Sequence, residues 1–222
     1  MTTSTRKQLV RDVLDDAKQH LRELGFRKRT GQTFTQDIGS GCIGKVVLST
    51  IYQLPPPEFE IDVPVGVRHQ PLERMLAELV EEKFHPYVPA TIYIQIGYLM
   101  PEKLYRSWTF GSDSKQHIYA VRDLIDCIVQ YGVPFMHANR GLEQIRDKLE
   151  DQTEPGRLAY SFLDQYEYRL PLTYYMLGDS GRALSYIEGR VAEKASQNNP
   201  AADRYRRFAV NLRKRIEGGG SD

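Results

Sequence analysis

Glu60 and Asp62 are the paired carboxylates whose spacing best suits chemistry, because they lie two residues apart in the segment 59–67. Apolar residues alternate with polar or small ones along this segment. This alternation predicts a β-strand with one buried face and both carboxylates on the other. Paired carboxylates can exchange protons with a substrate or hold a divalent metal ion. The pattern offers no third ligand, so we expect both acids to lie on the wet face of a sheet.

His69 follows the end of the same predicted strand, in a connecting segment of the kind that often carries functional residues. An enzyme whose site assembles around His69, Glu60 and Asp62 is therefore one hypothesis. The five histidines show no metal-ligand spacing, and the two cysteines, Cys42 and Cys127, show no paired spacing. We predict no metal and no cofactor. Because no catalytic motif is complete, the sequence favours a protein without catalytic activity.

Residues 39–45 fit the spacing G-x-x-x-x-G-K of a phosphate-binding loop. The residue after Lys45 is Val46, so the hydroxyl group that would hold magnesium is missing. A phosphate-binding loop must also open a helix, whereas Lys45 opens a β-branched run that predicts a strand. We therefore expect a glycine-rich turn between two strands.

The last predicted helix carries clustered basic residues beside an apolar stripe, and such clusters can bind the phosphates of nucleic acids. The net charge of the chain is only +1, and no exposed aromatic residues are interleaved with the arginines. These features favour an amphipathic helix with a solvated basic face, and they leave nucleic-acid binding as a further hypothesis. The candidate basic patch consists of Arg204, Arg207, Arg213 and Lys214.

The chain of 222 residues has an ordinary globular composition, with 41% hydrophobic and 27% charged residues. No window approaches the roughly 18 consecutive apolar residues that would cross a bilayer. The polar N-terminus lacks the apolar core of a signal peptide. We therefore expect a soluble cytoplasmic protein that does not bind membranes.

The order of periodic segments predicts an α+β fold. An N-terminal helix precedes a small, mostly antiparallel sheet with an interposed helix, and an all-α region follows. The interposed helix is expected to place its acids opposite an apolar face formed by Leu72, Met75, Leu76, Leu79 and Val80. The predicted domains are an α+β domain over 1–152, a helical region packed on it over 153–217, and a disordered tail over 218–222.

The open face of the predicted sheet is the candidate interaction face, formed by Glu60, Asp62, Tyr93 and Gln95. A sheet face with acids and aromatic residues suits protein recognition. The leading hypothesis is therefore a non-catalytic protein-interaction module, such as an immunity or antitoxin protein, with another protein as its partner. The enzyme and the nucleic-acid-binding protein described above are the alternatives.

Several landmarks resemble those of a bacterial family, the domain of unknown function (DUF) 4304 family. The resemblance covers roughly the first two thirds of the chain, and it implies a bacterial cytoplasmic protein. It brings no activity, cofactor or catalytic residue. The matching residues are Leu24-Gly25-Phe26, Phe34, the segment 59–67, Ile96-Gly97-Tyr98-Leu99, Trp108 and Tyr131-Gly132-Val133-Pro134-Phe135.

Overall fold

The computed structural model describes residues 3–111, 114–151 and 163–218. The fold is α+β, as predicted, with an N-terminal helix, short strands with an interposed helix, and a helical C-terminal region. The α-helices are α1 (Thr3–Glu23), α2 (Gln70–Val80), α3 (Ser114–Cys127), α4 (Val133–Ala138), α5 (Leu142–Glu150), α6 (Leu163–Met176), α7 (Ser180–Glu193) and α8 (Pro200–Gly218). The strands are β1 (Arg27–Lys28), β2 (Thr33–Gly39), β3 (Cys42–Val47), β4 (Ser49–Ile51), β5 (Phe59–Asp62), β6 (Pro64–His69), β7 (Ile92–Gln95) and β8 (Ser107–Phe110).

The chain forms two compact units. The first comprises Met1–Val67 and Tyr93–Ala138, and the second comprises Arg68–Ile92 and Asn139–Asp222. The predicted boundary between residues 152 and 153 lies outside the described residues. The interposed helix α2 and the helix α5 both belong to the second unit, so the helical unit includes segments that precede this boundary.

In the first unit, α1 buries an apolar stripe at helical spacing, which includes Val13, Ala17 and Leu21. Gly25 follows the end of the helix, and its φ of +88° lies in the left-handed region that glycine favours. The N–H of Phe26 donates to the carbonyl of Leu21, and the N–H of Gly25 donates to that of Arg22. This pair of bonds satisfies the last carbonyls of the helix in the Schellman arrangement.

The strands form two sheets. The five-stranded sheet has the order β1-β2-β3-β6-β7, and the three-stranded sheet has the order β4-β5-β8. The pairs β1–β2, β2–β3, β4–β5 and β5–β8 are antiparallel. Between β2 and β3, Ser40 and Gly41 both have positive φ, and Gly39 pairs with Cys42. This tight hairpin turn confirms the prediction of a turn between strands in place of a phosphate-binding loop.

The segment 59–67 is not one strand, and here the prediction is wrong. The segment divides at Val63 into β5 and β6, which belong to different sheets. The carbonyl of Val63 accepts a hydrogen bond from the N–H of Ile96, and Pro64 brings no N–H to a strand ladder. Alternation of buried and half-buried residues persists in β5, but almost every residue of β6 is buried. Within the segment 59–67, a half-buried outer face therefore exists along β5 but not along β6.

In the second unit, α2 packs against α6 and α8, and α8 also packs against α7. The shared core includes the aromatic cluster of Tyr168, Tyr205 and Phe208, whose ring centroids lie 5.0–5.7 Å apart. The last helix ends at Gly218, and the remainder of the predicted tail, 219–222, lies outside the described residues. Among the described helices, none is long and apolar enough to cross a membrane.

Candidate functional site

The candidate site lies around the N-terminal end of α2, where His69 fixes the first turn of the helix. His69 ends β6 and caps the helix, because its Nδ1 accepts a hydrogen bond from the N–H of Leu72 at 3.2 Å. The backbone N–H of His69 donates to Oγ1 of Thr91 at 2.9 Å. These two bonds fix the first turn of α2, and with it the position of Glu73 one turn later.

Burial lowers the pKa of His69, although the carboxylate of Glu73 acts in the opposite direction. The unfolded chain therefore binds a proton at a higher pH than the folded one, near the ordinary histidine pKa of about 6.5. We expect the stabilising contribution of neutral His69 to be fully present above that pH. Below it, the free energy of unfolding should fall by up to about 1.4 kcal/mol per pH unit. Urea unfolding at pH 7.5 and pH 5.5, followed by circular dichroism, measures this loss.

His69→Asn is the matched variant for this prediction, since asparagine also caps helices but does not titrate. The variant should lose less stability between the two pH values than the wild-type protein. An unchanged pH dependence in His69→Asn would contradict the prediction.

Glu73 is the centre of a buried ion cluster. Glu73 is 4% exposed, and both oxygen atoms of its carboxylate accept hydrogen bonds. Arg169 of α6 donates from Nε to Oε1 at 2.5 Å and from Nη2 to Oε2 at 2.9 Å. Arg68 lies with Nη1 3.2 Å from Oε2, and Oγ1 of Thr91 donates to Oε1 at 2.8 Å. The carboxylate is therefore held by two guanidinium groups and one hydroxyl group.

The charges of this cluster do not cancel. Burial alone would raise the pKa of Glu73, but the guanidinium groups of Arg169 and Arg68 and their hydrogen bonds outweigh it and hold that pKa below its ordinary value. Glu73 is therefore ionised at neutral pH. Burial lowers the pKa of Arg68, against the attraction of Glu73, yet an arginine stays protonated near neutrality. Two guanidinium groups and one carboxylate leave a net charge of +1 among side chains that are almost fully buried.

The two arginines differ in how many of their N–H groups are already bonded. Arg68 donates from Nη1 to the carbonyl of Pro89 at 2.5 Å, from Nη2 to the carbonyl of His85, and from Nε to Gln70 at 3.2 Å. Arg169 uses Nε and Nη2 for Glu73, and its Nη1 makes no hydrogen bond within the part of the chain that the structure describes. Arg169 therefore retains donors for a further acceptor.

A cavity of about 550 Å³ opens beside this cluster, and all of its lining residues belong to the second unit. Arg68, Glu73 and Arg169 form its polar floor. One wall is aliphatic, because α2 and the loop after it contribute the side chains of Leu76, Ala77, Val80 and Val88. The cavity thus joins a charged floor to an apolar wall.

The rim of the cavity carries a second ion pair. Arg204 of α8 donates to Glu82 from Nε at 2.6 Å and from Nη2 at 2.9 Å, and its guanidinium group lies 4.7 Å from the centre of the Tyr168 ring. The hydrogen bond from Arg204 lowers the pKa of Glu82. Lys83, which also lines the rim, is exposed and forms no ion pair with any described residue.

The cavity therefore has a positive lining. Four cationic side chains face two carboxylates, which leaves an excess of two positive charges when His85 is counted as neutral. Such a lining can bind an anion but offers no nucleophile paired with a base. Among the described residues, no group of three or more potential metal ligands occurs.

The four residues of the candidate interaction face do not lie on one sheet. Glu60 and Asp62 are on β5 of the three-stranded sheet, whereas Tyr93 and Gln95 are on β7 of the five-stranded sheet. All four are half-buried. Gln95 accepts a hydrogen bond from the N–H of Gly97 at 2.8 Å, so it stabilises the turn that follows β7.

The two carboxylates of β5 have different surroundings. Glu60 accepts a hydrogen bond from Oγ of Ser107 at 2.8 Å. Burial raises the pKa of Asp62, partly offset by a hydrogen bond with Ser49. His69, the third residue of the hypothetical enzyme site, belongs to the second unit, and its Nδ1 is engaged in capping α2.

The candidate basic patch is partly neutralised by ion pairs. Arg204 binds Glu82, and Arg213 binds Glu188 at 2.8 Å. Arg207 and Lys214 are exposed and form no ion pair within the described ranges. Of the four residues, Arg204 is the one that lines the cavity.

The sequence patterns did not reveal Glu73 and Arg169 as site residues. The prediction that the acids of α2 lie opposite its apolar face is wrong for Glu73, which is buried beside Leu72 and Leu76. Its position three residues before Leu76 and seven before Val80, on the apolar stripe, was the available signal. A buried carboxylate needs a cationic partner, but nothing local identifies Arg169 as that partner.

The comparisons with known proteins provide no further guide to the site. No protein-family model matches this chain, and neither a curated protein nor a solved structure is similar enough to it to count as a match.

Proposed function

We propose that this protein is a binding protein without catalytic activity, and that its ligand carries an anionic group that enters the cavity of the second unit. The observation that carries this proposal is Arg169. Its guanidinium group is 3% exposed, lines the cavity, and keeps Nη1 without a hydrogen bond among the described residues. Nη1 is not among the fully buried nitrogen and oxygen atoms that lack a partner in the described part of the chain, so it is accessible from the cavity, where an acceptor of a ligand can reach it.

The charge of the floor supports the same proposal. Removing a charge from water is costly unless an opposite charge compensates it, and the cluster of Arg68, Glu73 and Arg169 carries one uncompensated positive charge. An anion bound beside Arg169 would neutralise it through charge-assisted hydrogen bonds, which are stronger than neutral ones. The size of the cavity, about 550 Å³, falls within the typical range of roughly 300–1,000 Å³ for small-ligand sites.

The wider role expected from the sequence, that of a cytoplasmic interaction module, remains part of this proposal. A protein partner would be consistent with both the interaction role and the anion-binding cavity if it presented an acidic group to the cavity. The dispersal of the candidate interaction face over two sheets gives that face less support than the cavity has. The ion pairs of Arg204 and Arg213 likewise reduce the support for nucleic-acid binding.

Thermal unfolding in the presence of anions tests the proposal. Sulfate, phosphate, acetate and hexanoate are compared at constant ionic strength with chloride as the reference, because screening alone changes surface electrostatics. At least one of these anions should raise the midpoint in a saturable way. A ligand at 100 times its dissociation constant stabilises the folded state by about 2.7 kcal/mol. If no anion raises the midpoint above the chloride reference, the proposal is wrong.

Lys83→Glu locates the binding at this cavity. Reversal of this exposed charge should weaken anion binding on the order of fivefold, since an exposed charge pair contributes up to about 1 kcal/mol. Lys214→Glu is the matched control, because Lys214 is an exposed lysine of the same unit that does not line the cavity. Equal weakening in both variants would show that the effect comes from net charge and not from the cavity.

A further inference from the structure

We infer that the anionic group is the carboxylate of a ligand with an aliphatic body. This inference rests on the proposed function and deepens it, because it names the chemical class of the ligand. Three features carry it: the stereochemistry of Arg169, the net charge of the floor, and the composition of the wall.

The free edge of Arg169 fits a planar group with two oxygen atoms. A guanidinium group presents one pair of parallel N–H bonds along its Nε side and another across Nη1 and Nη2. Glu73 occupies the first pair, with distances of 2.5 and 2.9 Å. The second pair is the one that includes Nη1. A carboxylate can bind there in the bidentate geometry that Glu73 already adopts on the other side.

The charge of the floor fits a monoanion. Arg68, Arg169 and Glu73 together carry +1, and all three are almost fully buried. One carboxylate brings this sum to zero. A phosphate monoester carries a charge of about −1.5 to −2 at neutral pH, which exceeds the +1 of the buried floor. The second positive charge of the lining belongs to Lys83, which is exposed at the rim, and an exposed charge is screened by water and salt too strongly to offset a negative charge held beside Glu73. The cost of burying an uncompensated charge therefore favours the carboxylate.

The apolar part of the lining suits an aliphatic remainder of the ligand. Leu76, Ala77, Val80 and Val88 are aliphatic, and they line the cavity together with the charged residues, Pro89 and Tyr168. An aliphatic chain would bury apolar surface against them, and each buried methylene group should tighten binding about fourfold. Two sources share this chemistry: a free aliphatic carboxylic acid, and the α-carboxylate of a peptide that ends in an aliphatic residue.

Isothermal titration calorimetry of the full chain tests the inference with matched probes. Butyrate, hexanoate and octanoate vary the chain length, hexanamide removes the charge, and hexyl phosphate changes the anionic group. We expect tighter binding with each added methylene group, no detectable binding of hexanamide, and binding of hexyl phosphate at least about tenfold weaker than that of hexanoate. Hexyl phosphate that binds as tightly as hexanoate, or tighter, would overturn the inference.

The source of the carboxylate is decided by a second pair of probes. The tripeptide Ala-Ala-Val is compared with the same tripeptide amidated at its C-terminus. Tighter binding of the free tripeptide than of hexanoate, lost on amidation, supports the inference with a peptide terminus as the source. Tighter binding of hexanoate supports it with a free acid as the source. If inorganic phosphate binds and no carboxylate does, the inference fails while the proposed function stands; if no anion binds, both fail.

Ala77→Phe tests the wall without altering the buried ion cluster. Ala77 lines the cavity from α2, so the larger side chain should occupy space needed by the aliphatic body. Octanoate should then bind at least about tenfold more weakly, whereas acetate should be affected less. Ala192→Phe, at an exposed alanine of α7, is the control that should bind octanoate normally. If Ala77→Phe does not fold, the chain-length series on the wild-type protein still decides the question.

Discussion

Glu73→Gln is expected to lower the free energy of unfolding by about 3–5 kcal/mol, the usual cost of removing one partner from a buried ion pair. Glutamine keeps the size of the side chain but removes its charge. Arg169 and Arg68 are only 3% and 2% exposed, and both would lose the carboxylate that neutralises them. Urea unfolding followed by circular dichroism at pH 7.5 measures the difference.

Glu78→Gln is the matched control for this prediction. Glu78 lies on the same helix and pairs with Arg215 at 3.2 Å, but both side chains are largely exposed. An exposed ion pair contributes about 0–1 kcal/mol, so this variant should unfold almost as the wild-type protein does. A loss below about 1 kcal/mol in Glu73→Gln would contradict the buried position of the carboxylate between two arginines.

Phe110→Ala is expected to lower the free energy of unfolding by about 3–5 kcal/mol, because it removes a fully buried aromatic side chain from the first unit. Phe110 lies on β8, and its ring stacks on that of Phe59 with centroids 5.3 Å apart. The truncation loses the apolar surface of the ring and leaves a cavity that the paired strands β5 and β8 cannot easily close. Chemical unfolding monitored by circular dichroism measures the loss.

Tyr119→Ala provides the comparison for Phe110→Ala. Tyr119 is a large aromatic residue of α3 that is 71% exposed. Removing its side chain should change the free energy of unfolding by less than about 0.5 kcal/mol, as surface substitutions usually do. Similar losses in the two variants would mean that β8 does not bury Phe110 as described.

The buried ion cluster around Glu73 is not the arrangement that would give the highest stability. Replacement of buried ion pairs by apolar residues of similar size is often neutral or stabilising. A cluster with a net charge of +1 is less favourable still than a neutral pair. Sites where a fold departs from the stable solution are often functional. This is a physical reason to look for the ligand at this cavity.

The sequence by itself determined the elements whose signals are local. The apolar stripe of α1 and the glycine that follows the helix are close together in the sequence. The hairpin of β2 and β3 follows from glycines in a short turn. Helical spacing and left-handed turn residues act over a few positions, so their structural meaning can be read without knowledge of the rest of the chain. The same local signals, taken in order, sufficed for the α+β class.

The tertiary structure alone decided which distant residues meet. Arg169 binds Glu73 across 96 positions, and Arg204 binds Glu82 across 122. The division of the segment 59–67 between two sheets was equally hidden, because alternation predicts a buried face but does not specify a pairing strand. Burial and pairing depend on how helices and strands pack, and no local pattern encodes the partner of a buried charge. The cavity and its arginines therefore emerged only once the helices of the second unit were packed together.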